Sequence, residues 1–526
     1  MLLSFPCFSR VRQTCAALLL LLCLPLPCLS LLSAHAAEPD FAPVREYIRT
    51  RMQERDVPAM SVAVAKDGRL LWTEGFGVAD RERGIAADAD TMYSLASVTK
   101  TFTAVALMTL VQEGRIALDD PVNRHLGEAG LHSWVDDADA ATIRHVANHT
   151  SGLGTAEQFF YGESERALIP PMAQSIQRYG HLYRRAGEVH EYNNFGYGLL
   201  GHVVERVTGQ SYSDALRTRV FEPLGMRHSS IDTGPGLERH AAARYGGKRE
   251  PIPFYGFAEP GAAAMYASAP DLARFGLFFL GRPLPGQREI LDARHRAAMV
   301  ENAFRTNPHA RYGIGLEVID DGGYRWYEHG GSMSGVSASL TMVPSEGLVV
   351  AVLGNVSGAP VAQVRERIFQ QLLPGWRAQA AAAAAAGPAT ASAPRPAPIG
   401  TAPSEWRGDW SGTLHTYEGP VPARLRVLED GRALFRLGDQ LWSLLDKVEV
   451  EDGRLRGYTL SQVPTADARR RRHALRVDLR LRGDALAGEA MAWSGPKGPA
   501  GVLDPYFVFA LNHWLELRRA DSGDEG

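Results

Sequence analysis

Tyr93-Ser-Leu-Ala-Ser97-Val-Thr-Lys100 sets a hydroxyl and an amine three residues apart, the spacing at which two side chains share one face of a helix. A helix is predicted to follow. From Thr99 to Glu113 there is no proline or glycine, the apolar residues Phe102, Val105, Leu107, Met108, Leu110 and Val111 run almost all round it, and Gly114 supplies a stop. Ser97 is therefore expected at the mouth of a buried helix, where free backbone N–H groups and the positive dipole end favour an oxyanion. The lysine is informative in itself. Only 5 of the 56 basic residues are lysines, and an ammonium can give up its proton where a guanidinium cannot. For Lys100 to act as a base near neutrality its pKa has to fall by roughly 3 units from ~10.4, which burial supplies. A second match, Ser494-Gly-Pro-Lys497, lies among Gly495, Pro496, Gly498 and Pro499; it reads as a turn with no helix end aimed at the serine.

Two stretches downstream add to the pair. Tyr192-Asn193-Asn194 follows a turn containing Gly187 and precedes an apolar run, Tyr197 to Val204, that reads as a helix. His329-Gly330-Gly331 lies between Tyr312 to Leu316 and Ser337 to Val343, both strand-like by residue type and alternation. In this order the three motifs resemble the serine β-lactamase and penicillin-binding-protein superfamily, nearest to its class C β-lactamase, D-aminopeptidase and family VIII carboxylesterase branch. The likeness runs from about Asp40 to Pro374. It includes His149-Thr-Ser-Gly-Leu153, Phe221-Glu-Pro-Leu-Gly-Met226, the stretch Ala267 to Phe275, and Leu353-Gly-Asn355.

The resemblance implies a role for each matched residue. Ser97 would attack a carbonyl and become acylated, Lys100 would be its base or proton partner, and Tyr192 would be a second proton relay that activates water for deacylation. Asn194 would hold the substrate amide or carbonyl and orient Lys100. The backbone N–H groups of Ser97 and Ser332 would form the oxyanion hole, and Gly330 and Gly331 would let substrate approach the strand edge. Family members acting on β-lactams or peptides usually carry Lys-Thr-Gly in the third motif, where this chain has His329, Gly330 and Gly331. The cation is missing, because an imidazole is mostly neutral at pH 7. The expected reaction is thus cleavage of an ester or short amide with no obligatory carboxylate. The alternatives are a D-amino-acid peptidase or weak β-lactamase on cell-wall-type substrates, or a penicillin-binding sensor with little turnover. Glu163 and Glu165 lie in a plausible loop for the water-activating glutamate of class A enzymes, yet nothing local marks them.

Other chemistries find little support. His145 and His149 have metal-like i, i+4 spacing but no His-Glu-x-x-His, and read as structural. There is no Gly-x-Ser-x-Gly elbow and no phosphate loop. The basic run Arg469 to Arg472, with His473, reads as a solvated hairpin tip rather than a nucleic-acid site. No metal or cofactor is required, the expected partner is a small-molecule or peptide substrate, and oligomeric state leaves no trace.

Composition bounds the organisation. With 526 residues, 45% hydrophobic and 22% charged, the chain has room for two or three globular domains. Arg10 and Arg12 precede an apolar stretch, Ala16 to Leu32, and Ala34-His-Ala36 offers a small-x-small cleavage pattern. Residues 1–36 therefore read as a secretory signal peptide, and the protein as secreted or periplasmic in a bacterium with no stable membrane span once the signal is removed. Cys7, Cys15, Cys23 and Cys28 all fall before the cut, so no disulfide is expected in the mature chain. Residues 38–376 are expected to form the hydrolase domain, an antiparallel sheet with flanking helices and a helical subdomain, an α+β (α/β) class of fold. The resemblance supplies that form. An Ala/Pro-rich linker spans 377–404. Residues 405–520 carry alternating strands, such as Ala423 to Val427 and Leu475 to Leu481, with turns at Asp430-Gly431 and Asp452-Gly453. They read as an antiparallel β-barrel or half-barrel, similar to the lipocalin-like domains appended to this family, with a packed core as the leading reading and a ligand-binding lumen or a cover for the catalytic cleft as the alternatives. The loops Gln158 to Pro171 and Gly246 to Glu259 are expected to shape the substrate site.

Overall fold

The computed structural model describes residues 39–231, 240–376, 403–451, 453–496 and 506–520. The signal peptide read over 1–36, with all four cysteines, and nearly all of the linker lie outside the described residues. At the centre is a nine-stranded antiparallel sheet. From one edge its strands are Phe304–Arg305, Ala310–Tyr312, Glu317–Asp321, Tyr324–Met333, Val336–Val343, Leu348–Gly354, Ala59–Lys66, Arg69–Asp80 and Ile85–Ala86. The middle strands are apolar at nearly every position because helices cover both faces. Val62, Val64, Val350 and Val352 face helices Ala42–Glu54 and Val361–Leu372, while Ala63, Ala65, Val349 and Ala351 face helix Ala269–Phe279.

Helix Thr99–Gln112 lies on that second side in a helical region with Ile143–Ala147, Met172–Tyr179 and Asn194–Thr208. Every residue from Thr99 to Leu110 is buried, as the all-round apolar pattern requires, and Gly114 turns the chain away at φ +67°. One expected strand is cut short. Only Ala310–Tyr312 pairs in the sheet; beyond it the chain packs so closely that a Cβ on Gly313 would meet Met299 O at 2.0 Å and one on Gly315 the Ala104 side chain at 2.5 Å.

The second sheet is barrel-like and nearly closed. Its strands run in the order Ser443–Leu444, Ala433–Leu437, Gly419–Val427, Gly408–Thr416, Phe509–Arg519, Ala485–Ser494, Ala474–Arg482, Arg454–Thr459 and Asp446–Glu451. The first and last of these are separated along the chain by the single residue Leu445, which brings the two ends of the sheet together. Alternate residues such as Leu425, Phe435, Leu455, Val477 and Leu515 point into a filled apolar interior. Ser494 of the rejected motif is buried at the end of its strand, and Lys497 lies outside the described residues.

This sheet does not stop at the barrel. Strand Ala156–Tyr161 of the helical region pairs with Phe509–Arg519, Ala156 opposite Leu511 and Gln158 opposite Phe509, and its far half pairs with Tyr255–Phe257. Ion pairs reinforce the join, Arg178 to Asp467 at 3.0 Å and Arg184 to Glu489 at 3.0 Å. The basic run belongs to this join and is not simply a solvated tip. Arg470 lays its guanidinium 4.1 Å from the Phe160 ring centre and donates to Phe159 O, and Arg471 pairs with Glu165. Glu165 is thereby committed to the join.

Candidate active site

The turn that carries Ser97 is held from both sides. Leu95 N–H donates to Met265 O at 2.9 Å, and the Thr99 hydroxyl donates to Ala96 O at 2.7 Å while accepting from Met265 N–H at 3.1 Å. Ala96 is forced to φ +47°, a left-handed conformation that costs a residue with a Cβ roughly 1–2 kcal/mol. That bend leaves Ser97 half-buried on a cavity wall at the head of helix Thr99–Gln112.

Lys100 is fully buried, with Nζ 3.1 Å from Ser97 Oγ and 3.0 Å from Ala262 O. The faces of Tyr192 and Tyr197 close it off, with Nζ 4.9 Å and 5.7 Å from the ring centres. Burial brings its pKa down to about 7, against the opposing pull of Glu157. The amine is therefore available in both protonation states near neutrality.

Tyr192 comes from the loop before helix Asn194–Thr208. Asn193 fixes that loop by accepting Gly196 N–H at 2.9 Å, as an N-cap should, and by donating its amide to Leu153 O and Gly154 O. His149 completes the support: its Nδ1 accepts Asn193 N–H at 3.1 Å, and its ring packs on Tyr192 at 4.4 Å. One edge of the Tyr192 ring faces solvent, the residue being 42% exposed, while its hydroxyl is turned inward to Ser97. Burial of that hydroxyl raises its pKa, so the phenol keeps its proton.

His329 sits in strand Tyr324–Met333 and is 2% exposed. Its Nδ1–H donates to Gly330 O at 2.7 Å, which leaves Nε2 to accept the Tyr312 hydroxyl at 2.9 Å. Burial and the nearby Lys100 push its pKa down to about 3, so the ring is neutral. The neighbouring strand Glu317–Asp321 pairs only as far as Glu328, so the edge from His329 onward faces the site. A Cβ on Gly331 would stand 2.0 Å from Leu95 O, whereas one on Gly330 would meet nothing within 4 Å. Gly331 thus lets the strand press against the turn that carries Ser97.

Ser97, Asn194 and Ser332 line one cavity of about 310 Å³. Its other walls escaped the sequence reading as individual residues, although Phe159 and Phe257 fall in the two loops expected to shape the substrate site. Phe159 and Phe257 come from the two paired strands, and Phe507 and Trp493 come from the barrel; Phe507 lies 5.1 Å from Phe159 and 4.8 Å from Trp493 by ring centres. Glu157 and Glu259 also line it. Glu259 and Phe257 fall inside a loop marked as substrate-shaping, and the available signal was an isolated charge: Glu259 is the sole charged residue between Pro251 and Pro270. Among the described residues no Lys or Arg lines the cavity, and no group of three or more His, Cys, Asp or Glu is placed to hold a metal. Nor is any helix among them long and apolar enough to cross a membrane.

Comparison with known proteins gives a consistent picture. The family model described as Beta-lactamase matches residues 44–374. Protein flp of Staphylococcus aureus (strain MW2) is 25% identical over 329 residues, 61% of this chain and 64% of its own length; the chain thus spans just under two thirds of the curated relatives it matches first. Penicillin-binding protein 4 of Amycolatopsis lactamdurans is 30% identical over 360 residues, 64% of this chain and 90% of that protein. The octameric penicillin-binding protein homologue from Pyrococcus abyssi has the same fold with a TM-score of 0.54 at 22% identity, over 90% of this chain and 100% of that one.

Proposed function

Since the chain belongs to the Beta-lactamase family, we propose that it is a serine hydrolase that cleaves an ester or amide through an acyl-enzyme on Ser97. The observation that carries this reading is the 3.1 Å contact between Ser97 Oγ and an amine whose pKa lies at about 7. Ser97 Oγ adds to the substrate carbonyl carbon as its proton passes to neutral Lys100. The carbonyl oxygen takes the negative charge, and the N–H groups of Ser97 and Ser332 receive it. The bond to the leaving group then breaks, and the leaving group departs with the proton returned through Lys100 and Tyr192. Water attacks the acyl carbonyl, giving one proton to the same pair. The Ser97 ester breaks, the acid leaves, and the hydroxyl is restored.

Because its phenol keeps its proton, Tyr192 acts as a relay hydroxyl, with Lys100 as the base. Asn194, at the first turn of its helix and on the cavity wall, positions the substrate carbonyl or amide. An ester or amide without a required carboxylate is favoured, since His329 is neutral and the lining holds no guanidinium. The leader read over residues 1–36 supports a secreted or periplasmic location. The test is a burst of product equal in amount to the enzyme, with a matching acyl adduct mass on Ser97. Both are expected to vanish in Ser97→Ala; turnover that survives this change would sink the proposal.

A further inference from the structure

The catalytic cavity holds two carboxyl groups that the hydrolytic steps do not use. Glu259 is 3% exposed; its Oε2 accepts Gln158 N–H at 3.3 Å, while its Oε1 has no partner at all. Helix Asn194–Thr208 presses on it closely enough that a Cβ on Gly198 would stand 2.8 Å from Glu259 Cβ. The side chain is thus held in the wall with an unsatisfied oxygen in a place built for it. Burial raises the Glu157 carboxyl pKa, while neighbouring Asn194 and Lys100 pull it down. Arg470, the cation that acts on Glu259, is already committed to Gln158 Oε1 and Phe159 O.

Building on the hydrolase reading, we propose that the cavity recognises a substrate whose scissile acyl group carries a nearby protonated amine, with Glu259 and Glu157 as its counter-charges. A buried carboxylate without a partner is costly, and an arriving ammonium removes that cost by pairing with it. The aromatic faces of Phe159, Phe257, Phe507 and Trp493 complete a setting that suits a cation. Burial raises both carboxyl pKa values in the empty cavity, and a bound ammonium would lower them again. A β-lactam or peptide carboxylate would find no counter-charge in this lining.

Two measurements separate this proposal from the hydrolase reading beneath it. In the first, alanine benzyl ester is compared with propionic acid benzyl ester, which lacks only the amine. The wild-type protein is expected to prefer the amine-bearing ester by about tenfold or more in kcat/KM, and Glu259→Gln to bring that ratio to about one. Glu157→Gln, read by the same ratio, serves where the first variant does not fold, as judged by circular dichroism. A ratio near one in the wild type, or one unchanged in the folded variants, overturns the proposal. In the second, calorimetry on Ser97→Ala with alaninamide and propionamide, in two buffers of different ionisation enthalpy, is expected to show binding of alaninamide alone with net proton release. That result from a protein whose wild type hydrolyses neither ester would sustain amine recognition and refute hydrolysis. Equal binding of the two amides, beside a wild type that hydrolyses both esters at equal rates, would refute amine recognition and leave hydrolysis standing.

Discussion

At Lys100, activity and stability are governed by the same proton. Its pKa of about 7 makes the neutral base scarce below neutrality, so kcat/KM is expected to rise about tenfold per pH unit up to 7 and then level off. Lys100→Arg, which cannot supply the base and forces a permanent charge into a buried site, is expected to lose on the order of 10³-fold or more in kcat and to lower Tm. For stability, the folded state releases this proton at about 7 and the unfolded chain at ~10.4. Between those values the unfolded state binds more protons, so the Lys100 contribution becomes more favourable as pH rises across that window. Urea midpoints at pH 7 and pH 9.5 should therefore rise for the wild type relative to Lys100→Met; a constant difference would refute the buried, neutral amine.

Among the elements, the third-motif strand and the turn that carries Ser97 form a single device. Gly331→Ala would push Leu95 O, 2.0 Å from the new Cβ, and with it the strained Ala96 and Ser97. Activity is expected to fall about 100-fold with a lowered Tm, whereas Gly330→Ala, which meets nothing, should leave Tm unchanged. Much of this was legible in the sequence because it is local. The Ser97–Lys100 spacing and the uninterrupted helix after it follow from periodicity alone, and the alternation along Ala474–Arg482 declares a half-polar strand. The shortened strand at Tyr312 was not legible, because the chain beyond it packs on tertiary neighbours, Met299 and the sequence-distant Ala104. Glu157 was missed on the same ground, and Glu259 was anticipated only through its loop: an acid becomes part of a site only when folding places it there. Dense charge misled in the opposite direction, for the stem and guanidinium of Arg470 lie on an aromatic ring.

Across the whole molecule, the barrel supplies part of the substrate wall, and the polar join holds it there. Asp467→Ala removes the partner of both Arg178 and Tyr179 and leaves Arg178 uncompensated. Its effect is expected on KM, roughly threefold to tenfold upward for an ester that reaches Phe507, with little change in the rate of labelling by a small fluorophosphonate. Equal losses in both would mean that the join supports the nucleophile itself. Phe507→Ala, measured on the same two probes, should show the same split.

The strand Phe509–Arg519 is also the piece that the barrel and the helical region share. It leaves the ribosome some four hundred residues after the nucleophile. Until it arrives, a nascent chain carries its serine and amine beside a half-built pocket and a bare strand of unpaired amides at Ala156–Gln158. Synthesis order alone therefore withholds selectivity until the closing segment docks, and an interrupted chain is expected to be both promiscuous and adhesive.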